Sequence, residues 1–282
     1  MREPVDTHID VSDEDIHWQP DAGLSYGKYL ALDTILDVQH PLSDEHDEML
    51  FIIIHQASEL WLKLCLHELN GAFAFLEADN DRAAMKNLAR IARIQEQLTQ
   101  SWSVLATMTP ADYMKFRGSL GQSSGFQSFQ YRILEYKLGN KSAPLAEVHK
   151  PEPEVYAAVK AALHQPSLWD AFLAYAHRQG LTMPDEVLNR DWSQPYSANE
   201  TVEAQLKLVY QGTKEWWAIY ELAEKLVDLE HKFQQWRFNH MKTVERIIGF
   251  RRGTGGSGGV SYLVKALNLR FFPELWTVRT RL

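Results

Sequence analysis

Cysteine is nearly absent from this chain. Cys65 is the only one in 282 residues. That excludes an intramolecular disulfide framework and any thiolate cage for zinc or an iron–sulfur cluster. Long apolar runs are missing too: the longest, residues 49–54, is far too short to span a bilayer. Positive charge is in deficit. The 29 basic and 37 acidic residues give a net charge of -8, with no compensating Lys/Arg block, so neither nucleic acid nor an anionic membrane surface is an expected partner. No segment alternates apolar and polar over strand length, and no internal repeat is present. A His-x-x-x-His pair with an acid between, the mark of a helix-borne zinc protease, is also lacking.

What is present is ordinary globular material. Hydrophobic residues make up 45% and charged residues 23%, values that argue against disorder. The length alone suggests about two domains. The helical patterns are long enough to have to pack on one another, so they favour an all-α fold: a single large helical-bundle domain over residues 23–282. Residues 1–22 read as a flexible acidic arm, with Glu3, Asp6, Asp10, Asp13, Glu14, Asp15 and Asp21. The arm has neither a basic start nor an apolar stretch, so it is not a secretory signal. The expected location is the cytoplasm, with no membrane association.

Helical spacing predicts a first helix over 26–39, stopped by Pro41. Ser43 is positioned to cap a second, over 44–77. It is apolar almost all round at 49–54, as a central helix is. A third spans 81–107. Thr109-Pro110-Ala111-Asp112 is a helix start, with a cap, a proline at the first helical position and an acid at the third. Residues 121–125 form a loop, and 126–138 are helical up to Gly139. Shorter helices are expected over 154–163 and 167–179. A very long pattern runs over 200–248, broken only by Gly212. A last short helix covers 260–267.

Two histidines stand out. His55 shares a helix face with Phe51, Ile52, Ser58, Glu59 and Leu62. His240 lies in phase with Phe233, Trp236, Val244 and Ile247. Either alone fits a buried core imidazole or a ligand. Two of them on two long helices suit a haem pocket between helices, because a haem needs one proximal imidazole and a dry slot and brings its own four nitrogens. Tyr113 and Arg117, four residues apart on one helix face, put a phenol beside a guanidinium able to grip a carboxylate. The same spacing also fits a surface pair. Glycines 249, 253, 255, 256, 258 and 259 crowd one loop. It satisfies a dinucleotide-binding pattern, but it follows a helix where that motif must follow a strand, so a lid closing over a ligand is the better reading.

Several long stretches together resemble the bacterial tryptophan 2,3-dioxygenase family. They are Tyr26-Gly27-Lys28-Tyr29-Leu30, the run from His46 to Gln56, Glu59-Leu60-Trp61-Leu62-Lys63, Ser123-Ser124-Gly125-Phe126-Gln127-Ser128, Trp236-Arg237-Phe238-Asn239-His240-Met241, and the run from Gly253 to Gly259. Their order and spread cover the chain from about residue 23 to the end. The resemblance implies a homotetramer with one b-type haem per subunit, active as Fe(II). It implies insertion of both atoms of O2 across the indole C2–C3 bond of L-tryptophan to give N-formylkynurenine, the first step of tryptophan breakdown. By motif, His240 is the proximal iron ligand, and His55 is the distal group near the indole N–H. Phe51, Ile52, Ile53 and Ile54 line the substrate side with Tyr113. Arg117 takes the carboxylate, and Thr254 contacts the amino-acid portion. Ser124 and Gly125 lie near the haem, and Tyr26, Tyr29 and Leu30 reach a neighbouring subunit's site. Two other readings differ in kind. An O2 carrier or sensor would bind oxygen without consuming tryptophan, and a helical scaffold would purify colourless.

Overall fold

The computed structural model describes residues 9–16 and 23–282. Most of the expected acidic arm therefore lies outside the described residues. In chain order the α-helices are α1 (Tyr26–Leu30), α2 (Leu32–Ile35), α3 (His46–Glu77), α4 (Asp81–Leu105), α5 (Pro110–Phe116), α6 (Phe129–Leu138), α7 (Pro153–His164), α8 (Leu168–Arg178), α9 (Asp185–Leu188), α10 (Glu200–Gln211), α11 (Trp217–Ile248), α12 (Val260–Leu267) and α13 (Pro273–Thr277). No strand occurs among the described residues, and the all-α expectation holds. The chain forms two units, Met1–His40 and Pro41–Leu282.

In the first unit the helix expected over 26–39 is two short pieces. Ala31 takes a left-handed conformation (φ 50°) between them, and the second piece ends at Ile35. A non-glycine residue pays about 1–2 kcal/mol for that conformation. Periodicity carries no trace of it. Tyr26 and Tyr29 are 75% and 72% exposed, and Leu30 is also exposed.

The second unit is organised on its three longest helices. Asn80 accepts from the Ala83 N–H and starts α4 three residues after α3 ends, so the two form an antiparallel hairpin. Asn87 and Arg90 of α4 bond back to the backbone and carboxylate of Glu68 in α3. On its other side α4 packs along α11, and here the helices are parallel. Glu96 pairs with Lys232 at 3.0 Å, and Trp102 lies against Trp236 and His240. The main core fills this layer with Leu62, Leu69, Leu76, Leu88, Ile91, Leu98, Leu222 and Leu226. Among the described residues, α3 alone is long and apolar enough to cross a membrane by length and composition. Its second half carries core residues, whereas Met49, Ile53 and Leu60 of its first half are exposed.

Two helix starts behave differently from each other. Thr109 caps α5 as expected, accepting from the Asp112 N–H with Pro110 at the first helical position. Ser43 does not cap α3, which begins at His46 after an uncapped Glu45. Instead the buried Glu48 carboxylate reaches back and accepts from the N–H groups of Leu42 and Ser43 and from the Ser43 hydroxyl. The pattern over 200–248 breaks at Gly212, as expected, but the gap runs to Trp216. A Cβ on Gly212 would lie 3.1 Å from the Leu208 carbonyl and 3.3 Å from the Trp216 ring. Glycine there lets the indole fold back against the end of α10.

Candidate active site

A second, smaller apolar cluster sits where the start of α3 meets the ends of α4 and α11. Its buried members are Leu105, Met108, Tyr113, Phe116 and Ile247, flanked by Leu50, Phe51, Ile54 and Trp102. Both candidate histidines border it. The His55 ring lies 4.1 Å from Phe51, whose own ring is 6.0 Å from Tyr113 and 5.7 Å from Phe116.

His55 Nδ1 stands 2.7 Å from the Phe51 carbonyl, one turn back on α3. A carbonyl only accepts, so Nδ1 carries the proton and Nε2 keeps its lone pair. Burial holds the imidazole below its ordinary pKa, against the Phe51 carbonyl and the Glu59 carboxylate, which pull the other way. His55 is thus neutral at pH 7, with Nε2 a hydrogen-bond acceptor.

His240 is more extreme. Burial, with a smaller contribution from His55, pushes its pKa down to about 4. The two imidazoles are close enough to sense each other's charge. Both residues nevertheless keep some accessible surface. The Trp102 indole stacks on His240 at 4.6 Å and 8°, and Trp236 tilts against it at 5.4 Å.

The polar end of the site is made by α5 and two loops. Burial raises the Tyr113 phenol above its ordinary pKa, and the adjacent Arg117 guanidinium offsets part of the rise. The guanidinium thus lies near enough to the phenol to act on its charge. Arg117 lies just past α5, in a 3-10 turn, and its Nη2 donates to the Arg252 carbonyl at 2.8 Å. Its Nε is buried with no partner, a donor free for a ligand. Thr254 donates to the Ser123 carbonyl at 2.6 Å. Gly255 then rests on Ser124, where a Cβ would come within 2.7 Å of the Ser124 Cβ. So the glycine loop is folded down onto the 121–125 loop. Ser124 also caps the turn Gly125–Gln127, exchanging hydrogen bonds with Gln127 and Phe126.

The fold brings Phe51, Ile54, His55 and Tyr113 to this cluster, with His240 joined to it through Trp102 and Arg117 beside Tyr113, while Ser124, Gly125 and Thr254 belong to the two paired loops. Ile52 and Ile53 are not part of the apolar cluster, and Ile53 is 48% exposed. Three further participants went unseen in the sequence. The Ser123 and Arg252 carbonyls leave no trace in residue type. Trp102 does leave one, since it continues the α4 stripe of Leu98 and Leu105 by helical spacing. Among the described residues no group of three His, Cys, Asp or Glu could hold a bare metal ion.

Comparison with known proteins agrees over nearly the whole chain. The family model described as tryptophan 2,3-dioxygenase matches residues 11–208 and 197–282. A tryptophan 2,3-dioxygenase of Bacillus cereus is 54% identical over 272 residues, covering 96% of this chain and 98% of that protein. One from Bradyrhizobium diazoefficiens is 56% identical over 257 residues, 91% of this chain and 92% of its own. Tryptophan 2,3-dioxygenase 1 of Ralstonia nicotianae is 55% identical over 259 residues, 92% and 88% respectively.

Proposed function

The chain belongs to the tryptophan 2,3-dioxygenase family and oxidises L-tryptophan to N-formylkynurenine, and from that premise we propose that it holds a b-type haem on His240 and binds its substrate beside His55. The observation that carries the reading is the pair of neutral imidazoles, from α3 and α11, bordering one apolar cluster next to a buried unpaired arginine N–H.

The residues fit a haem. Iron binds a neutral imidazole, and His240 stays neutral to about pH 4. The cluster is bordered by imidazoles and by no three-ligand cage among the described residues, which suits a metal whose other ligands come with its macrocycle. When bound, the haem supplies the activation of O2, and both oxygen atoms enter the product. Everything else falls to the protein.

His55 positions the indole. Its Nε2 accepts from the indole N–H while its Nδ1 stays tied to the Phe51 carbonyl. An indole N–H is a very weak acid, so the role is orientation and not obligatory deprotonation. Phe51 and Ile54 give the ring a dry wall. Arg117 offers Nε to the carboxylate beside the Tyr113 phenol. Thr254, on the lid, borders the amino-acid portion, and Ser124 and Gly125 form its seat near the haem. Ile52 and Ile53 belong to the same substrate-side stretch of α3. The working domain is residues 23–282.

We place the enzyme in the cytoplasm as a homotetramer with one haem per subunit. The uncovered Met49, Ile53 and Leu60 and the exposed Tyr26, Tyr29 and Leu30 support subunit contacts. Tyr26, Tyr29 and Leu30 would reach a neighbouring subunit's site. A single buried thiol, pushed up to about 12 by burial, suits a reducing compartment. The test is absorption spectroscopy on protein supplied with haem. A Soret band that disappears in His240→Ala supports the reading, and protein that takes up no haem rejects it.

A further inference from the structure

A histidine that ligates a metal has to be held at one ring angle. Usually its second nitrogen donates to a carboxylate or carbonyl, and that bond fixes the plane. Among the described residues no hydrogen bond is made by the His240 ring. What touches it instead are two indoles. Trp236 is on the same helix, one turn earlier, and tilts against the ring at 42° without stacking on it. Trp102 is on α4, and it lies nearly parallel to the imidazole at 4.6 Å.

We infer that Trp102 is the positioning residue for the proximal histidine, replacing the missing hydrogen bond with a stacked face. The inference rests on the reading of His240 as the haem ligand. A further observation supports it. α4 is well anchored around this point. Leu98 and Leu105 are buried on either side of Trp102, and Glu96 pairs with Lys232 of α11. The stack therefore refers the imidazole plane to a helix packed along both α3 and α11. An imidazole drawn into metal coordination also becomes more positive, and the electron-rich indole face stabilises that charge.

The test uses the full-length holoenzyme in wild-type, Trp102→Phe, Trp102→Leu and His240→Ala forms. Haem transfer to an excess of a haem-scavenging protein gives the dissociation rate. Resonance Raman spectra of the ferrous forms give the iron–histidine stretching band, and thermal melts of the haem-free forms report folding alone. Expected for Trp102→Leu is roughly tenfold faster haem loss, the lower end of the range for removing an orienting partner, with a shifted or broadened stretching band. Trp102→Phe should recover most of both, because it keeps an aromatic face. The haem-free melts of wild type and Trp102→Phe should coincide. The inference is overturned if Trp102→Leu matches wild type in band and haem loss. It is also overturned if Trp102→Phe is as defective as Trp102→Leu while its haem-free melt is unchanged. A His240→Ala protein that still shows the stretching band rejects the underlying assignment of the ligand, and the role of Trp102 with it.

Discussion

At the scale of single residues, the protonation state of His55 decides its chemistry. The Phe51 carbonyl fixes the proton on Nδ1, which leaves Nε2 with one thing to do, which is to accept. Removing one such hydrogen bond is worth about 0.5–1.5 kcal/mol, or roughly two- to tenfold in rate. His55→Ala should accordingly lower kcat/KM by roughly two- to tenfold, whereas a loss of roughly 10²–10⁴ would mark an obligatory base. The pH profile gives a second check. Burial holds the folded pKa below the ordinary 6.5, so the acid-side fall in kcat/KM, where Nε2 gains a proton and can no longer accept, should have its midpoint below 6.5. Arg117 makes a different demand. Its Nη2 is taken by the Arg252 carbonyl, and its Nε is free. A lysine keeps the charge but cannot serve both directions. Arg117→Lys should raise KM for tryptophan by roughly tenfold or more and leave haem content at the wild-type level, measured by initial rates and by absorbance on the same preparations.

At the scale of elements, the glycine loop and the 121–125 loop act as a pair. Their contact depends on Gly255 having no side chain, because a Cβ would be 2.7 Å from that of Ser124. Gly255→Ala should prevent the lid from seating and raise KM for tryptophan several-fold, with the melting temperature unchanged. Adding Ser124→Gly removes the opposing Cβ and should restore KM. Steady-state kinetics on the single and double variants decide the matter. This scale also separates what the sequence discloses from what it conceals. The starts of α4, α5 and α8, the stop of α11 and both ends of α12 are legible because caps, prolines and glycines act locally. His55 and His240 stand out because helical spacing aligns them with apolar neighbours, and Tyr113 and Arg117 because they are four residues apart. The break at Ala31 is not, since alanine gives no signal for a left-handed conformation. Nor is the role of Glu48, whose carboxylate replaces Ser43 as organiser of the α3 start through contacts five and six residues away. The carbonyls of Ser123 and Arg252 are out of reach for any reading of side chains, because every residue has one.

At the scale of the whole second unit, the site depends on α3, α4 and α11 meeting at one end of the layer. The C-terminal segment helps hold α11 in place. Glu230, fully buried, accepts from the N–H groups of Phe271 and Phe272 and from the Trp276 indole. Burial still raises its carboxyl above the ordinary range, those bonds notwithstanding. Glu230→Ala strands three donors and should destabilise the protein by about 3 kcal/mol or more, measured by urea unfolding of the haem-free chain. The central claim, however, concerns what that layer is built to hold. It is tested most directly by one absorption experiment, in which wild type and His240→Ala, each supplied with haem and reductant, are followed under air before and after L-tryptophan is added. A Soret band and growth of the near-ultraviolet absorbance of N-formylkynurenine are expected in wild type, and neither in His240→Ala. A wild-type protein that forms N-formylkynurenine without a Soret band, or a His240→Ala protein that keeps both signals, would contradict that claim.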